Sequence, residues 1–111
     1  MWKGDKMVRS EILDKAKEIV CGNREHEYGS PENSFSTIAG LWSAYLSADS
    51  RIPEDFEIDG VDVAVMMALL KIARIATGTF KEDSYIDACG YLACGAELDI
   101  KILEAVTGVT T

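Results

Sequence analysis

The chain is poor in the residues that staple or metallate a small fold. Among 111 residues there are three cysteines, Cys21, Cys89 and Cys94, and one histidine, His26. An odd cysteine count without Cys-x-x-Cys or zinc-finger spacing excludes a disulfide framework and a structural zinc site as the basis of the fold. Cys89 and Cys94 fall within an apolar helical segment, where cysteine acts as a small hydrophobe, and all three are read as reduced thiols of a cytosolic protein. No apolar run reaches the ~20 residues of a bilayer span. The start, Met1-Trp-Lys-Gly-Asp-Lys6, leads into an amphipathic helix rather than a signal-peptide core. Basic charge is short as well: 11 Lys and Arg face 19 Asp and Glu, a net charge of −8. Coating a nucleic acid or an anionic membrane takes a basic surface, so neither is an expected partner. A small phosphorylated ligand needs only one local cluster of donors and stays open. So does competition with DNA for a basic protein. P-loop, Gly-x-Gly-x-x-Gly and Gly-x-Ser-x-Gly patterns are absent, as are strand alternation and internal repeats.

What is present reads as one helical domain over residues 1–111, with 48% apolar and 27% charged residues. The periodicity predicts four helices. The first covers about 10–20, with Ile12, Leu13, Ala16, Ile19 and Val20 on one stripe and Gly22 as its stop. Ser30-Pro31-Glu32 announces the second: a capping serine, proline at the first helical position and an acid in the first turn. It runs to about Ala48, with Phe35, Ile38, Ala39, Trp42, Tyr45 and Leu46 inward. A solvated acidic loop with Pro53 follows. The third helix extends from near Asp59 to Gly78. Thr79-Phe-Lys-Glu82 matches a capping box, so the fourth begins at about Lys81 and runs towards Val106. Gly90 and Gly95 either weaken it or admit a closely packed neighbour. The third and fourth helices are apolar nearly all round, which makes them central. Two such helices have too few neighbours in so small a domain, so the expected architecture is an all-α, four-helix bundle-like domain with a homodimer or higher oligomer formed over helices three and four.

Those two apolar helices nonetheless carry charges. Lys71 and Arg74 share one face of the third; Asp83, Asp87 and Tyr91, spaced i, i+4, i+8, share a face of the fourth. A charge among apolar residues is costly unless it is paired or binds something. The pattern implies either a structural ion-pair network or the lining of a ligand site.

A second concentration lies between the first two helices, in Asn23-Arg-Glu-His-Glu-Tyr-Gly-Ser-Pro-Glu-Asn33. Free N–H groups at a helix start favour anions, and Gly29 lets a ligand come close. Arg24 suits a phosphate fork and Tyr28 a stacked base. His26, flanked by Glu25 and Glu27, is a thin ligand set for a transition metal, since neighbours at i±1 point apart. Surface pairing of Arg24 with the glutamates, and Tyr28 closing the core, is the plain alternative.

The string Tyr28-Gly29, Asn33, Phe35 and Trp42, then Asp62-Val63-Ala64 and Leu70-Lys71-Ile72-Ala73-Arg74-Ile75, then Glu82-Asp83-Ser84, Asp87 and Gly90-Tyr91 resembles a group of small helical proteins of unassigned function encoded by tailed bacteriophages and prophages. The resemblance covers about residues 10–98. More distantly the chain is similar to nucleotide-modification-associated proteins and to all-α NTP pyrophosphohydrolases of the MazG type. The phage likeness implies a host cytosolic location. The MazG likeness implies Mg²⁺ held by acids, for which Asp83 and Asp87 would serve, with Asp62 or Glu27 converging on them; the third helix holds no other acid from Val63 through Ile75.

The expected function is binding of a nucleotide or nucleotide-derived small molecule. Arg24, Lys71 and Arg74 would meet phosphates. Tyr28 or Tyr91 would stack on the base, with Gly29 and His26 beside it, and Asp83 or Asp87 would take ribose or base donors. Sequestering a host immune nucleotide signal is one use a phage has for such a protein. Two alternatives stand beside it: Mg²⁺-dependent pyrophosphohydrolysis, and an acidic inhibitor that mimics DNA charge through Glu54-Asp-Phe-Glu-Ile-Asp59.

Overall fold

The protein is seen in a computed structural model, which describes residues 7–23 and 30–108. Four α-helices follow in order: α1 (Arg9–Glu18), α2 (Pro31–Ser47), α3 (Gly60–Thr77) and α4 (Glu82–Thr107). The described residues contain no strand, and the all-α expectation holds.

Local chemistry accounts for the helix starts. The Glu11 side chain accepts the Val8 N–H at 3.3 Å ahead of α1. Ser30 Oγ accepts the Asn33 N–H at 3.2 Å, with Pro31 at the first helical position of α2. At α3 two acids cap reciprocally: Asp59 accepts from the Asp62 N–H at 2.9 Å and Asp62 accepts from the Asp59 N–H at 3.0 Å. The capping box expected at Thr79–Glu82 does not form. Lys81 is the cap residue of α4 and makes no side-chain cap bond; Glu82 and Asp83 in the first turn instead complement the helix dipole. Past the other end of α4, Gly108 adopts φ 72° and its N–H donates to the Glu104 carbonyl at 2.8 Å, a left-handed stop that favours glycine.

Beyond α1 the chain widens into a π-type turn over Ile19–Asn23, which breaks at Gly22. Between α2 and α3, the Arg51 guanidinium grips the Asp49 carboxylate at 2.8 Å and holds its carboxyl below the usual carboxylate range. Ser43 Oγ ties the end of that loop to α2, accepting the Ile58 N–H at 3.0 Å and donating to the Ile58 carbonyl at 3.3 Å.

Helices α3 and α4 form a tight antiparallel hairpin. Lys71 lies against Asp87, Ala64 against Gly95 and Gly60 against Leu98, a steady register along the pair. The close approach at Gly95 requires glycine, because a Cβ there would stand 2.9 Å from the Ala64 Cβ. Of the two roles open to Gly95 in the sequence, close packing is the one observed. Helix α1 packs on α4 and α2 on α3. The core between them is Phe35, Ala39, Val63, Ala64 and Leu98.

Both outer helices cover the same flank of the hairpin. Val63 and Met67 of α3 and Ile86, Gly90 and Cys94 of α4 lie on it. The opposite flank is bare, and Leu69 and Leu92 there are 56% and 48% exposed. So α3 and α4 are central in topology but covered on one side only. The molecule is 24 Å deep along its shortest axis, about two helix diameters. Its radius of gyration of 16.4 Å exceeds the ~13 Å of a compact domain of this size. Two residues placed inward by periodicity face solvent instead: Leu13 and Tyr45. Each lies on the edge of its helix's apolar stripe, beyond the reach of the hairpin.

Candidate functional site

The π-type turn touches the middle of α4 at Val20 and Gly90 but leaves a gap between itself, the first turns of α2 and the neighbouring turns of α4. They enclose a cavity of about 240 Å³. Its walls come from helical stripes: Ala16, Ile19 and Val20; Pro31, Ser34, Phe35 and Ile38; Asp87, Gly90, Tyr91 and Cys94; with Met67 of α3 and Ile86 completing the enclosure. Apolar side chains dominate. The polar residues on its wall are Ser34, Tyr91 and Asp87.

Asp87 is held from behind. Lys71 Nζ lies 2.9 Å from Asp87 Oδ2, and both side chains are mostly buried, at 16% and 18% exposure. The pair bridges α3 and α4 across the hairpin, and Asp87 belongs to the wall of the apolar cleft. Tyr91, one turn along α4, is half-buried, and its ring tilts on Phe35 with centroids 6.2 Å apart. Gly90 opens the wall between them, since a Cβ there would stand 2.9 Å from Val20 Cγ1.

The structure therefore brings together Lys71, Asp87 and Tyr91 out of the residues expected to form a site. Arg74 and Asp83 lie one turn from Lys71 and Asp87, on the side of the hairpin that carries the cavity, but both are exposed. Neither makes an ion pair among the described residues. Of the two basic groups on α3, the lysine takes the carboxylate and the arginine goes to water. Arg24, His26, Tyr28 and Gly29 lie outside the described residues, as do Glu25 and Glu27. The chain on either side of them is placed: Ile19 and Val20 before and Pro31 after both wall the cavity. Among the described residues no three of His, Cys, Asp and Glu gather as a metal set.

Ser34, Met67 and Cys94 were not among the site residues expected from the sequence. Their spacing with Phe35, Ile38 and Tyr91 is that of an ordinary core stripe, and a stripe facing a gap has the same periodicity as one facing a neighbour.

Fold and site together define a small all-α domain with an apolar cleft edged by one partly buried ion pair. The chain belongs to the family described as a domain of unknown function (DUF6378), whose model matches residues 11–99. It is 39% identical over 83 residues to the Gene 55 protein of Mycobacterium phage D29, covering 75% of this chain and 50% of that protein. It is 41% identical over 80 residues to the Gene 55 protein of Mycobacterium phage L5, covering 72% of this chain and 47% of that protein. The chain thus spans about half the length of the curated relatives it matches. No solved structure matches it. The likeness to small phage proteins is established by these matches; likeness to pyrophosphohydrolases is not among them. No helix among the described residues is long and apolar enough to cross a membrane.

Proposed function

We propose that this protein binds a nucleotide or nucleotide-derived small molecule, its planar base in the cavity beside Asp87 and its charged part towards the exposed Arg74. The observation that supports this most is a carboxylate held by Lys71 at the wall of an otherwise apolar cleft. Ligand sites typically combine an apolar enclosure with a few fixed polar groups. At about 240 Å³ the enclosure falls below the ~300–1,000 Å³ of sites for whole drug-sized molecules. It suits one ring system, with the remainder of the ligand outside. Asp87 Oδ1 would accept from an exocyclic amine or a ribose hydroxyl, and Ser34 and Tyr91 supply a donor each.

Binding is preferred to Mg²⁺-assisted hydrolysis for an electrostatic reason. A metal at Asp87 would have to approach the ammonium already 2.9 Å from that carboxylate, and like charges so close repel. For a phage protein, holding a host immune nucleotide signal is the use this reading gives to binding without turnover. Self-association of the chain is a separate part of the reading and concerns the opposite flank of the hairpin.

Thermal-shift screening against mononucleotides, cyclic oligonucleotides and ADP-ribose derivatives tests it. At least one class should raise the melting temperature, and Asp87→Asn should reduce that rise. Folded protein that responds to none of them would refute nucleotide binding.

A further inference from the structure

We propose that the bare flank of the α3–α4 hairpin is the seat of a second copy of this chain, so that two hairpins pack face to face into a four-helix core with α1 and α2 outside on each side. This rests on the self-association just proposed and not on the ligand. On α3, Val65, Leu69, Ile72 and Ala76 recur at four, three and four residues and form one stripe. On α4, Tyr85, Leu92, Ala96 and Leu103 form another. The two helices are antiparallel, and both stripes lie opposite the flank that α1 and α2 cover, so they are adjacent and face the same way. Each of their large side chains is close to half exposed. Met66 and Ile100 widen the surface.

Three features select a second copy as occupant. The first is charge. The chain carries −8, and like charges brought together across an interface are costly. Between Glu82 and the level of Asp62 and Asp99 this flank is free of charge, and Leu103 lies beyond those two acids. An acidic chain can meet itself here without setting acid against acid. The second is extent. From Tyr85 to Leu103 the stripe runs ~27 Å along α4 and is two helices wide up to the level of Leu98, a surface on the scale of the ~800 Å² that each partner of a stable interface buries. Monomers seldom leave so large an apolar face in water. The third is shape. Two parallel ridges with a shallow groove between them are self-complementary about a two-fold axis, as an isologous interface requires, and helices so packed cross near the angle of a four-helix bundle. Helix α4 also outruns α3. Its last residues, Asp99–Thr107, lie beyond the level of Gly60 and expose Ile102 and Val106, apolar groups that a second copy would cover.

Sedimentation equilibrium of the intact chain at micromolar to tens of micromolar tests this. The expected result is a dimer mass and a melting temperature that rises with protein concentration. Leu69→Ala and Leu92→Ala should each weaken dimerisation by roughly tenfold or more. Leu41→Ala, exposed on α2 away from this flank, should leave it unchanged. A monomer with a concentration-independent melting temperature would overturn self-association altogether. A dimer indifferent to both leucine variants would keep self-association and overturn this surface. The melting-temperature readout uses the unaltered protein, so a variant that fails to fold does not remove the test.

Discussion

A Cβ built on Gly95 would lie 2.9 Å from the Cβ of Ala64, closer than such atoms come in folded proteins. The Ala64 Cβ is fixed to its backbone, so relief requires the two helices to part. Gly90 meets Val20 Cγ1 at the same 2.9 Å, but that atom ends a side chain beside a cavity and can turn away. Alanine also gains about 0.5–1 kcal/mol over glycine in a helix. Gly95→Ala should therefore lose about 1–3 kcal/mol through overpacking, while Gly90→Ala should be close to neutral. Chemical denaturation of the two variants checks the contrast; equal effects would contradict the packing account.

The Lys71–Asp87 pair yields a second prediction. Removing one partner strands the other where water reaches it poorly. With exposures of 16% and 18%, Lys71→Ala should lose about 2 kcal/mol, less than the ~3–5 of a fully buried pair. Replacing both residues, as Lys71→Met with Asp87→Leu, should recover most of that loss, since an apolar pair needs no desolvation of charge. A double-mutant cycle reads the coupling directly.

Much of the fold was legible because local signals determined it. Ser30-Pro31-Glu32 starts α2, and Gly60–Thr77 runs almost where its apolar density placed it. The Thr79–Glu82 box failed because the helix starts two residues later than the motif requires: Lys81, not Thr79, occupies the cap position. Tyr45 and Leu13 failed for a different reason: periodicity gives a residue's angle on its own helix but not which neighbour lies over that angle. The same gap separates Lys71 from Arg74. Both share a face of α3, yet only the position level with Asp87 in the hairpin register can pair with it. The cavity was illegible altogether, because such a space is a property of all four helices at once.

Arg74 is exposed and makes no ion pair among the described residues. A structural ion pair with Asp83 or Asp87 is thereby set aside for Arg74, and Arg74→Ala should change stability by less than about 0.5 kcal/mol. Arg74→Lys keeps the charge but loses the planar fork. If Arg74 meets ligand phosphate, both variants should reduce a nucleotide-induced thermal shift, alanine more than lysine. An unchanged shift in both would remove Arg74 from the site.

The sharpest question for the cavity is whether it is a binding site or a packing defect, and Ala16 separates the two. It is buried on α1 and lines the space between the π-type turn and Tyr91. Leucine there would extend into the cavity and bury added apolar surface. As a pure filling of a void this should hold or raise stability, by up to ~1 kcal/mol. If the cavity takes a nucleobase, Ala16→Leu should at the same time abolish the ligand-induced shift by occupying the space. Thermal melts of Ala16→Leu with and without the best-responding nucleotide measure both effects in one experiment. A variant at least as stable as the parent that still responds fully to ligand would move the binding site elsewhere on the molecule.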